Sequence, residues 1–210
     1  MKRLLSTFTL MACVLLAGCV TQPVRKDMAA FEAAAPRSIL VVPTVNKSLD
    51  VDAPNYVLST LPIPIAEKGY YVFPVNTTKY VLEQEGYYEG EKIHQQPTAV
   101  LAKLFGADAV LYVTINRWDA QYLIVSTTVT VDFDYRLVSK DGVELWKEST
   151  HLRYSPNNSN GGLLSAVINA AIARAKPNFM PLTQQANDQT LVLGVNALLD
   201  GPYKKASLKP

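Results

Sequence analysis

The side chains able to do covalent, acid–base or metal chemistry are few and fall into three groups. Cys19 follows Leu16-Ala17-Gly18. Its thiol can be acylated, and the two small residues before it suit a peptidase cleft that would then expose its amine. His94 and His151 are the two imidazoles, and neither has a Cys or a second His at ligand spacing. Asp132 and Asp134 lie two apart, which on a strand puts both carboxylates on one face. Such a pair can hold a hard cation, but a solvated strand face is the plainer reading. No Gly-x-Ser-x-Gly elbow and no dinucleotide fingerprint occurs. The Asn- and Gly-rich stretch over 157–162 lacks the Gly-Lys-Ser/Thr of a phosphate loop. The expectation is no catalytic residue, no metal and no cofactor other than covalent lipid on Cys19.

The residues before Cys19 support that lipid. Met1-Lys2-Arg3 is basic, and Leu4 to Leu16 is uncharged and mostly apolar. A bilayer span needs about 20 apolar residues, so this stretch reads as a secretory signal over residues 1–18, cut between Gly18 and Cys19. Leu-Ala-Gly-Cys resembles the lipobox of bacterial lipoproteins. Val20 stands where an Asp would favour retention in the inner membrane, so the resemblance implies the outer membrane. Buried lipid contributes about 0.8 kcal/mol per methylene, enough for firm anchoring by several chains.

Removing residues 1–18 from a chain of 210 leaves 192, enough for one sizeable core. Lys2 and Arg3 leave with the signal, so 18 of the 20 basic residues remain against 18 acids. A neutral domain offers no basic patch for nucleic acid. Cys13 is also lost, leaving no thiol for a disulfide once Cys19 is acylated.

Elements that would position these residues follow from periodicity. Residues 19–37, with Pro23 and Pro36, read as a lipidated tether containing at most a short helix, reaching about 60 Å at roughly 3.3 Å per residue. Ser38–Pro43 is a β-branched strand, and Asn46–Asn55 a turn-rich stretch. Tyr56–Lys68 is a helix that Pro62 and Pro64 must break, and Gly69 is its stop. Tyr70–Val75 is a second strand, and Thr77 or Thr78 caps a helix running to about Glu85. Gly86–Gln96 reads as a polar loop holding His94. Pro97 opens a helix over Thr98–Phe105, and Asp108–Trp118 is a third strand. Strict alternation from Leu123 to Leu137 marks a long strand with one apolar face, and Ser139–Gly142 turns it into Val143–Tyr154. Leu163–Ala175 is a helix with no charge before Arg174. A surface helix normally carries charge on its outer side. Leu163, Leu164, Ala166, Val167, Ala170 and Ala173 are therefore a candidate self-association face. Thr183–Leu199 forms a last helix, and 201–210 a flexible tail.

The result is one α/β (α+β) domain over 38–200. It has a mixed sheet of about five strands, a β-α-β-α-α-β start, a long antiparallel hairpin, and helices mainly on one face. The aromatics Tyr70, Tyr71, Tyr80, Tyr87, Tyr88, Trp118, Tyr122 and Trp146 suit either a core or a binding surface.

The lipobox, Ser38–Pro43, the run from Asp50 to Ile65 and Gly69–Val75 together resemble a family of Gram-negative outer-membrane lipoproteins that includes a neisserial surface antigen. The likeness spans nearly the whole mature chain. It implies a neighbour resembling CsgG, a non-enzymatic protein-interaction role in envelope export or assembly, and a homodimer or small oligomer. The element order also resembles the amino-terminal domain of TolB and the folds of CsgG and LpoB. Two alternatives stay open. One is a cell-wall enzyme or its activator using His151, Asp132 and Asp134. The other is a small-ligand-binding subunit of a transport system.

Overall fold

The computed structural model describes residues 25–123, 126–154 and 179–204. Cys19, Gly18, the 163–173 face and the 157–162 loop lie outside these residues.

Six strands form one mixed sheet: β1 (Ser38–Val41), β2 (Val45–Asn46), β3 (Tyr71–Val72), β4 (Ala109–Leu123), β5 (Ser126–Ser139) and β6 (Glu144–Tyr154). The order is β3-β1-β4-β5-β6, with β2 also on β4. Pairings among β1 to β4 are parallel; β4–β5 and β5–β6 are antiparallel. The seven helices of the described residues are α1 (Ala29–Ala34), α2 (Ala53–Thr60), α3 (Pro62–Glu67), α4 (Val75–Gln84), α5 (Gly90–His94), α6 (Thr98–Phe105) and α7 (Met180–Asp188). A π-helical turn, Gln189–Leu193, extends α7.

The start of the parallel half is fixed by one carboxylate. The Asp108 carboxylate accepts hydrogen bonds from the Ser38 amide at 3.2 Å and its hydroxyl at 3.1 Å, and the Arg37 amide at 3.0 Å. That ties the start of β1 to the start of β4. Pro62 and Pro64 split the expected helix between Thr60 and Pro62, because neither can donate to the ladder. Gly106, at φ +70°, ends α6 as expected, with the Ala107 amide returning to Ala102 O.

The larger core lies on one side of the sheet. Val57, Leu61, Ile65, Leu182 and Ala186 pack there on Leu111, Val113, Phe133 and Leu137. A buried polar chain crosses it: Tyr135 Oη donates to Asn187 Oδ1 at 2.7 Å, and Asn187 Nδ2 to Thr60 Oγ1 at 2.8 Å. A smaller core of Leu82, Ile93 and Leu101 on Leu40, Val110 and Tyr112 backs the parallel strands.

Several boundaries differ from those expected. The tether is folded in its second half: Met28 and Phe31, three apart on one helix face, are buried in the main core. Helix α5 lies inside the expected polar loop, anchored by fully buried Ile93. Helix α4 starts at Val75, after Pro74, without a threonine cap. The last helix stops short of Leu199, because its final turn widens and the Gly194 amide closes it onto Gln189 O at 2.7 Å. The start of the expected tail is bonded in place. The Gly201 amide meets Lys68 O at 2.7 Å, the Tyr203 amide meets Gly69 O at 3.0 Å, and Arg37 lies over the Tyr203 ring. Gly69 sits at φ +89°, and a Cβ there would collide with the Lys204 backbone.

Candidate functional site

His151 and Asp132 face each other across β5 and β6 in direct register, with His151 Nδ1 in contact with Asp132 Oδ1. The His151 side chain is 62% exposed and that of Asp132 26%, so the pair sits at the boundary of the solvent. Asp134, on the same strand face, is engaged differently. Its Oδ2 accepts from Asn116 Nδ2 at 2.5 Å and its Oδ1 from Ser149 Oγ at 2.6 Å. Asp134 lines a cleft of about 380 Å³ whose lining includes neither Asp132 nor His151. The three groups an acid–base reading would need are therefore not gathered. Among the described residues no group of three or more His, Cys, Asp or Glu could hold a metal ion.

The same cleft contains a cluster that sequence reasoning missed. Its floor is the polar face of the antiparallel strands, where Tyr112 on β4 is registered with Arg136 on β5, and Thr114 with Asp134. Helix α5 brings His94 to the cleft, where its ring meets Tyr112 edge-on at 5.0 Å. His94 Nε2 lies 3.0 Å from Pro43 O. A carbonyl only accepts, so Nε2 carries the proton. Burial is the main influence on this ring and lowers its pKa to about 4, against an opposing pull from the Pro43 carbonyl. His94 is thus neutral at pH 7 and fixed in one tautomer. Thr98 and Tyr112 share a hydrogen bond at 2.9 Å, and the Arg136 guanidinium lies 4.8 Å above the Tyr112 ring. Burial also pushes the Tyr112 hydroxyl up, although its bond to Thr98 opposes this. At the rim, Lys26 Nζ pairs with Glu148 at 3.0 Å.

Some of the aromatics singled out in the sequence enter the core and others are exposed. Trp118 is buried, stacked on Phe179 at 4.6 Å and Tyr56 at 5.9 Å. Trp146 is buried and donates to Asn196 O at 2.6 Å; Tyr70 is buried and donates to Leu199 O at 2.7 Å. Tyr71, Tyr80 and Tyr88 are exposed. Leu49 and Val51, on the loop before α2, are the most exposed large apolar side chains among the described residues.

Residues 26–203 match the family described as "Putative lipoprotein GNA1162-like". The chain belongs to this family. It is 40% identical over 147 residues to a lipoprotein of Neisseria meningitidis serogroup B, "Putative lipoprotein NMB1124/NMB1162", covering 70% of this chain and 68% of that one. The crystal structure of lipoprotein GNA1162 from Neisseria meningitidis is also similar, at 38% identity and a TM-score of 0.57, over 67% of this chain and 98% of that one. The family resemblance read from the sequence therefore holds, and so does the mixed α/β architecture. Membership supports a membrane-anchored lipoprotein.

Proposed function

We propose that the protein is a non-enzymatic lipoprotein of the outer membrane, held by lipid on Cys19 after removal of residues 1–18, that meets other envelope lipoproteins on the membrane surface. One observation carries this reading. The chain is fixed to the domain at Lys26, whose amide donates to Asn196 Oδ1 at 3.0 Å and whose ammonium pairs with Glu148 on β6. Lys26 follows Cys19 by seven residues, so the link reaches at most about 23 Å at roughly 3.3 Å per residue. That is well short of the reach expected from a free tether to residue 37. The cleft beside Lys26 and the open polar face of β4–β6 are then held close to the bilayer. A partner on the same surface meets them at a raised effective concentration.

A CsgG-like lipoprotein is the partner the sequence resemblance implies, and a second copy, through the 163–173 face, is the other. Crosslinking in intact envelopes of wild type and of Cys19→Ala tests both. Wild type should capture an envelope lipoprotein or itself, and Cys19→Ala should lose the capture while keeping its melting temperature. Equal capture by the unanchored form would overturn the role of the anchor. Attachment to peptidoglycan alone would overturn the protein-interaction reading.

A further inference from the structure

We propose that the cleft beneath α5 is a binding site for a single peptide carboxylate, with Arg136 as the group that receives it. The charges in and around the cleft are unevenly matched. Lys26 is paired with Glu148 at 3.0 Å, and Lys147 with Glu144 at 3.0 Å. Both oxygens of Asp134 are taken by Asn116 and Ser149. Arg136 has no carboxylate partner among the described residues; what holds it is the face of Tyr112.

Tyr112 is itself held on two sides, by the Thr98 hydroxyl and by the edge of the neutral His94 ring. The guanidinium therefore rests on a fixed ring, so little of its side-chain entropy remains to be lost on binding. Its planar fork matches a carboxylate with two parallel N–H···O bonds. Phosphate would accept the same fork. The lining sets Lys26, Arg136 and Lys147 against Asp134 and Glu148, however, one net positive charge that a monoanion neutralises and a dianion exceeds. The ligand class is thus an acidic side chain or a free chain terminus, in a cleft whose volume suits a few residues rather than a large cofactor. The site is independent of the anchoring reading, because every residue it uses lies within the folded domain.

The test uses the full mature chain, following the backbone amide signal of Thr114, which lines the cleft and is present in every variant, by NMR during titration with N-acetyl-Ala-Ala. The C-terminal amide of that peptide, inorganic phosphate and phosphatidylglycerol vesicles serve as separate arms. The acid should shift the signal saturably and the amide should not. Binding should weaken at least tenfold in Arg136→Lys, which keeps the charge and loses the fork, and vanish in Arg136→Ala. Lys140→Ala, at the hairpin turn outside the cleft, should bind as wild type. Unchanged melting temperatures show that the variants fold. Equal response to acid and amide, undiminished binding by Arg136→Ala, or tighter capture of phosphate or vesicles through Arg136 would each overturn the assignment.

Discussion

From Ile39 to Val42, in β1 and just after it, four consecutive side chains are fully buried. In β5 burial alternates instead: Val131, Phe133 and Tyr135 are buried, while Asp134 and Arg136 are exposed. The parallel half of the sheet has helices behind both faces, so Ile39 and Val41 enter the larger core and Leu40 and Val42 the smaller. The antiparallel half keeps one face toward solvent around Asp134 and Arg136, while Thr128 and Thr130 further along the same face are buried. Strands of the first kind can only stabilise. Strands of the second kind can stabilise through one face and recognise through the other, and the cleft lies where that open face passes under α5.

The sharpest way to break this contrast is through Leu111. It is fully buried in the larger core, paired with Val41 on one side and Leu137 on the other. Leu111→Ala should cost about 3 kcal/mol in urea unfolding, from lost transfer energy plus a cavity. A loss under about 1 kcal/mol would mean that the junction of the two halves can collapse around the gap, and that they are not mechanically distinct.

His94 joins the halves, since it stands on α5 against Tyr112 and lines the cleft. Its folded pKa is lowered to about 4 from 6.5, mainly by burial. Between those values the unfolded chain binds a proton that the folded chain refuses. Stability should therefore fall as pH drops through that window, by up to about 3 kcal/mol, and be unaffected by this group above it. Unfolding of wild type and His94→Gln at pH 7 and pH 4.5 isolates the contribution. The gap between them should narrow or reverse at the lower pH. A gap independent of pH would place His94 in solvent and detach α5 from the site.

What was legible follows the same division. The buried run at Ile39–Val42, the alternation through Phe133 and Tyr135, and the stop at Gly106 are written in local pattern, because each reports its own strand or turn. Helix α5 was hidden, since five residues with one buried anchor, Ile93, look like a polar loop. Met28 and Phe31 were hidden for a related reason: a single turn of amphipathic helix is too short to stand out from a tether. The cleft could not be read at all. Tyr112 and Arg136 meet through strand register, and His94 reaches them through the packing of α5, so no spacing in the chain joins the three. The Asp132–Asp134 pair did stand out, yet the two carboxylates take different partners on the same face.

The smallest effect is expected where sequence attention was strongest. His151 and Asp132 form a pair across the edge strand and its neighbour, with the imidazole exposed and the carboxylate partly covered. Exposed ion pairs contribute little, because water screens them and two side chains must be ordered to make them. His151→Ala and Asp132→Asn should each change stability by less than about 0.5 kcal/mol. If the open face works by recognition centred on Arg136, both variants should also retain the wild-type crosslinking pattern in envelopes. Loss of a cell-wall activity in both, with folding intact, would instead restore an acid–base role to the pair. It would also move the working part of the open face from the cleft under α5 to the pair across β5 and β6. The comparison therefore turns on a measurement in which this reading expects almost nothing to happen at His151 and a great deal at Arg136, two positions on one continuous sheet face.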